Sequence, residues 1–119
     1  MAKKELKELA LSVGKAIATH RQACGLTQED VAERLKIGNE AVSRMERGIV
    51  MPTFARLVNL SHLFGLDVST LLVTASNQPA DQAQYLKQLL SRLDASDRAM
   101  IVGMVEALAS RLSKDRTER

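Results

Sequence analysis

The chain has 119 residues, of which 45% are apolar and only 3% aromatic. That is enough apolar material for one real core, too little chain for a barrel or a doubly wound sheet, and too few aromatics for a β-sandwich or a single-strand binder built on base stacking. The net charge of +3 permits a nucleic-acid partner without establishing one.

The elements follow in chain order, and all are helices. Over residues 5–23, Leu6, Leu9, Ala10, Val13 and Ile17 recur at spacings of three and four, which predicts an amphipathic helix stopped by Gly25. Gly14, inside that pattern, either costs about 1 kcal/mol relative to alanine or marks a close helix contact or a break. Thr27 is a natural N-cap, and Asp30 three residues on makes a capping box with it. Val31, Ala32 and Leu35 give the next short helix its apolar face, and Lys36-Ile37-Gly38 breaks it. Residues 39–47 form another short helix with Val42 and Met45 inward, ended by Gly48. Thr53 caps a helix expected to bury Phe54, Leu57, Leu60, Leu63 and Phe64. Asp67 or Ser69 then caps a further turn with Leu71 and Leu72 buried. Residues 74–80 are the only linker-like stretch. Beyond it lie one stripe at Tyr85, Leu86, Leu89, Leu90 and Leu93, and a last one at Ile101, Met104, Val105, Leu108 and Leu112.

The informative segment is 28–47. Two short helices joined by a tight turn carry apolar residues at the crossing, with the small Ala32 where the axes approach and Val42 packed against it. Such a pair leaves the outer face of the second helix free to enter a major groove about 12 Å wide.

Several strings add to this pair: Arg21, Gly25-Leu26-Thr27-Gln28, Val31-Ala32-Glu33-Arg34-Leu35, Val42-Ser43-Arg44-Met45-Glu46-Arg47-Gly48, Pro52-Thr53 and Leu66-Asp67-Val68. In this order and at these separations, residues 13–73 resemble the phage-repressor-like, or XRE, helix-turn-helix family. Composition and periodicity predict an all-α fold, and the resemblance implies a five-helix DNA-binding domain, placed over 1–76; the stripes beyond the linker-like stretch predict two C-terminal helices in a dimerisation region over 77–119. It implies that Gln28 binds backbone phosphate and braces the recognition helix, and that Asn39, Glu40, Ser43 and Arg44 face the bases. Their chemistry suits this, since Asn pairs with adenine, Arg with guanine, and Glu accepts from cytosine N4. It also implies that Arg21 and Glu46 form an ion pair.

There are departures from the family pattern. Lys36 stands where Gly is usual, so a left-handed backbone there carries about 1–2 kcal/mol of strain. Gly38 stands where Ser or Thr usually caps the recognition helix. Ile49-Val50-Met51 replaces the usual basic loop, so phosphate charge falls to Arg44, Arg47, Arg56 and the amino-terminal lysines. Thr53, at the start of the next helix, completes the candidate DNA-binding set.

Plainer readings stand beside these. Glu40 and Arg44, four apart, also suit a helix-surface ion pair. Lys3, Lys4 and Lys7 read as the solvated first turn of a helix rather than a flexible arm. His20 and His62 read as surface or helix-edge residues, and Cys24 as an inert, partly buried thiol that excludes an intrachain disulfide. No nucleophile–base pair, glycine-rich phosphate loop or metal-ligand cluster is visible, so neither an enzyme, a cofactor nor a metal is expected. With no apolar leader and no run near the roughly 20 residues of a membrane span, a cytoplasmic protein is expected.

The reading is a regulator, a repressor, that binds double-stranded DNA at a near-palindromic operator as a homodimer through Ile101, Met104, Val105, Leu108 and Leu112. Its rivals are an antitoxin that represses its own operon while holding a toxin, and a protein-interaction module that uses the same fold without DNA.

Overall fold

A computed structural model describes residues 2–117. They form α1 (Lys3–Ala23), α2 (Gln28–Leu35), α3 (Asn39–Glu46), α4 (Phe54–Leu63), α5 (Val68–Ala75), α6 (Pro79–Leu90) and α7 (Ala95–Thr117), with no strand among the described residues. By contacts the chain divides into two compact units, Met1–Tyr85 and Leu86–Arg119, and the division falls inside α6.

The boundaries of the first unit come from local chemistry. At the start of α2, the Thr27 hydroxyl accepts from the Asp30 N–H (3.0 Å) and the Thr27 N–H donates to the Asp30 carboxylate (2.9 Å). Those two bonds satisfy helix-terminal donors, and the Thr27 backbone N–H, with a smaller contribution from the Thr27 side chain, holds the Asp30 carboxyl below the usual carboxylate range. Thr53 caps α4 by accepting from the Arg56 N–H. The helices α1, α3 and α4 are each followed by a left-handed glycine, whereas α2 ends on left-handed Lys36 (φ 58°, ψ 45°). The Ile37 N–H returns to the Ala32 carbonyl and closes that turn.

One apolar cluster holds the five helices α1–α5 together. Val13, Ala16 and Ile17 of α1 meet Val31 and Ala32 of α2, Val42 and Met45 of α3, Leu57 and Leu60 of α4 with Phe64 just after it, and Leu71 and Ala75 of α5. Val42 and Met45 of α3 are both buried, but the expected stripes of α1, α4 and α5 are only partly so. Leu6 and Leu9 are exposed because α3 and α5 cover α1 from Ala10 onward. Phe54, the first residue of α4, is 67% exposed, and Leu72 faces outward beside buried Leu71. The supposed linker also shrinks. The helix α5 runs to Ala75 and α6 starts at Pro79, a residue preorganised for a first helical position, leaving three residues between them.

Two polar side chains depart from the sequence reading. His20 is buried: its Nε2 lies 2.8 Å from Thr74 Oγ1, and its ring meets Tyr85 edge-on at 6.3 Å. Because the single Thr74 hydroxyl proton goes to the Thr70 carbonyl, His20 Nε2 is the donor in that pair. Cys24 is exposed rather than partly buried, with its thiol 3.6 Å from the Phe64 carbonyl.

In the second unit, no described residue of α7 is buried. No single described helix is long and apolar enough to cross a membrane.

Candidate nucleic-acid interface

The placement of α3 decides the site. Val42 and Met45 point into the core, and that fixes the opposite face. Asn39, Glu40, Arg44 and Arg47 are exposed there and Ser43 is half-buried, at the spacings of one helical stripe. Gly38 stands at the N-cap with no side-chain cap bond, so the first turn of α3 keeps free donors facing outward.

The other end of α3 is clamped. Glu46 is the acceptor hub: Arg21 Nε donates to its Oε2 at 2.7 Å, Arg21 Nη2 to its Oε1 at 3.1 Å, and Gln28 Nε2 to Oε1 at 3.0 Å. Arg21 Nη1 also donates to the Leu26 carbonyl at 2.8 Å, just before α2. The two charged side chains are 13% and 6% exposed, so the pair is largely dry. Glu46 sits at a helix carboxyl end, where the dipole disfavours its charge. The two-pronged Arg21 fork offsets this, and the Glu46 bond holds the guanidinium above its ordinary pKa. Gln28, expected both to bind phosphate and to brace the recognition helix, ties the start of α2 to the end of α3. Spacing alone does not identify Glu46, 18 residues on, as its partner.

Backbone contact sets how closely α1 crosses α3. A Cβ on Gly14 would lie 2.5 Å from the carbonyl oxygens of both Met45 and Glu46, and one on Gly48 would lie 2.8 Å from the Leu11 Cα. Of the readings open for Gly14, the structure selects the close contact.

On the outer face, Glu40 takes a different partner from the one four residues on. Arg47 Nη2 donates to Glu40 Oε1 at 2.9 Å, and Arg47 Nε donates to Ser43 Oγ at 3.1 Å. Both charged groups are exposed, so the pair is worth only a few tenths of a kcal/mol and is readily exchanged for another partner. Arg44 has no side-chain partner among the described residues. With Arg56 it borders an apolar cleft of about 270 Å³ lined by Ile37, Ala41, Val50 and Met51. Ile49, Val50 and Met51 are exposed, so the loop after α3 offers apolar surface where a basic one would meet phosphate.

Residues 17–71, from within α1 into α5, match the helix-turn-helix family model. That span is just under half of the chain, and over it the protein is similar to XRE-type helix-turn-helix domains. By that likeness α2 and α3 correspond to the paired helices, and the similarity is to DNA-binding regulators rather than to enzymes. Over 62 residues the chain is 39% identical to the HTH-type transcriptional regulator ImmR of Bacillus subtilis (strain 168), covering 52% of this chain and 49% of that one. The chain therefore spans about half the length of this curated relative. The crystal structure of the clp gene regulator ClgR from Corynebacterium glutamicum superposes with a TM-score of 0.56 at 25% identity, over 71% of this chain and 87% of that one. The helix-turn-helix domain carries no group of three or more His, Cys, Asp or Glu placed to hold a metal, and none occurs elsewhere among the described residues.

Proposed function

We propose that the chain is a cytoplasmic, sequence-specific repressor. It binds a near-palindromic operator as a homodimer, with half-sites about one helical turn, roughly 34 Å, apart. Residues 1–76 bind DNA and residues 77–119 dimerise. The observation that carries the reading is the outer face of α3: Asn39, Glu40, Ser43 and Arg44 on one exposed stripe, with Arg44 unpartnered. An unpaired guanidinium in mid-helix reaches a guanine edge without first breaking an internal contact. Arg47, Arg56, Thr53 and the start of α2 at Gln28 surround that stripe and supply phosphate contacts. Repression needs nothing more than occupancy of the operator, which suits a chain of this size.

The test is selection from a randomised duplex library with the full chain, followed by binding of Arg44→Ala to the selected site and to random DNA. The expected loss is about 1–3 kcal/mol on the selected site and much less on random DNA. Equal losses would reduce Arg44 to a phosphate contact. A library that enriches no sequence at low salt, with a stable protein captured instead, would replace the reading with a protein-interaction role.

A further inference from the structure

Ile101, Val105, Leu108 and Leu112 follow one another along α7 at spacings of four, three and four, the seam of a two-helix coiled coil. All four are exposed in the single chain, Leu112 at 66%. The same seam continues at spacings of three to Arg98 on one side and to Asp115 on the other, so it ends in opposite charges. Resting on the homodimer reading above, we infer that α7 packs antiparallel against α7 of a second copy, with Ile101 opposite Leu112, Val105 opposite Leu108 and Arg98 opposite Asp115.

The numbering has one centre, between residues 106 and 107, and a two-fold axis there generates all three layers and their mirror images. Every charged seam position then meets its opposite. A parallel pair would stack Arg98 on Arg98 and Asp115 on Asp115, leaving like charges at both ends of an apolar seam. The neighbouring charges agree. Asp94, Asp97 and Arg98 sum to −1 at the start of the helix, and Arg111, Lys114, Asp115 and Arg116 sum to +2 at its end. Antiparallel packing sets these unlike ends together and opposes the two helix dipoles. Met104 and Ala109, also on opposite sides of the centre, flank the seam as a large and a small residue.

The experiment uses the full chain in a Cys24→Ser background, which removes the one native thiol. Ile101→Cys and Leu112→Cys proteins are oxidised separately and then as a mixture. Antiparallel packing brings position 101 to position 112 and holds like positions about 16 Å apart along the axis, beyond the roughly 7 Å a disulfide spans. The expected result is a linked dimer from the mixture alone. Each variant linking to itself would establish parallel packing and overturn the inference. A dimer by sedimentation that links in none of the three samples would overturn this seam while leaving the homodimer standing. A parent protein that sediments as a monomer at micromolar concentration would remove the homodimer reading itself. As a second measurement, Arg98→Glu should weaken dimerisation about tenfold, and adding Asp115→Arg should restore it. Failure of that rescue would break the register.

Discussion

The helix-turn-helix unit and the unit that begins at Leu86 use the same kind of helix and treat its apolar face in opposite ways. In the first, every helix from α1 to α5 gives residues to one shared core, and the leftover apolar surface is scattered over Leu6, Leu9, Leu11, Phe54, Leu72 and the loop after α3. In the second, α7 carries at least as many large apolar residues and buries none. An amphipathic stripe therefore specifies a helix and a direction of contact, but not whether the partner lies in the same chain. Where it does, single substitutions should act on folding. Where it does not, they should act on association.

The sharpest break in that comparison is Gly14→Val. Its side chain meets backbone carbonyls that cannot rotate away, so it should destabilise the first unit by about 3 kcal/mol or more in urea unfolding. A variant as stable as the parent would mean that α1 can move off α3. Removing one member of the Arg21–Glu46 pair comes next. Arg21→Met or Glu46→Leu should each cost about 3 kcal/mol, because the remaining charge stays largely buried. The double variant should cost clearly less than the sum, and additive losses would show that the pair does not couple. Lys36→Gly should act in the other direction, raising stability by about 0.5–1 kcal/mol as left-handed strain is relieved and partly offset by greater freedom of the unfolded chain. The readout is a higher urea midpoint at unchanged slope. Smallest of all on folding is Leu108→Glu in α7. The unfolding transition of the first unit should shift by no more than about 0.5 kcal/mol, while sedimentation moves towards monomer. A large loss of fold stability there would erase the distinction between the two units.

The sequence carried most of the boundaries, because each rests on chemistry within four residues: Thr27 with Asp30, Thr53 with Arg56, and the glycines after α1, α3 and α4. It carried the inward face of α3 as well, since Val42 and Met45 alternate with polar neighbours at helical spacing. What it could not carry is how far along each stripe the neighbour extends. Leu6, Leu9 and Phe54 have the right period and lie beyond the ends of the helices that would cover them. From spacing alone, polar partners were legible only at short range; the Arg21–Glu46 pair, 25 residues apart, was legible through the family resemblance. The bond from Gln28 to Glu46 exists because α2 and α3 cross, and the Arg47–Glu40 contact spans two turns because an arginine is long enough to do so. His20 looked like a helix-edge residue because its partners, Thr74 and Tyr85, lie more than 50 residues away.

The two glycine contacts at the end of α3 also determine where tolerance of imperfect sites resides. With Gly14 against the last carbonyls of α3, and Gly48 against the Leu11 backbone and side chain, backbone abuts backbone at both contacts. Close backbone packing at these two points limits how far α3 can shift within its own unit. Under the proposed function, a mismatched base pair would be met by new rotamers of Asn39, Glu40 and Arg44, or by bending of the duplex, whose stiffness depends on the base steps it contains. Discrimination would then extend to base pairs that no side chain touches, with the DNA as the more compliant partner.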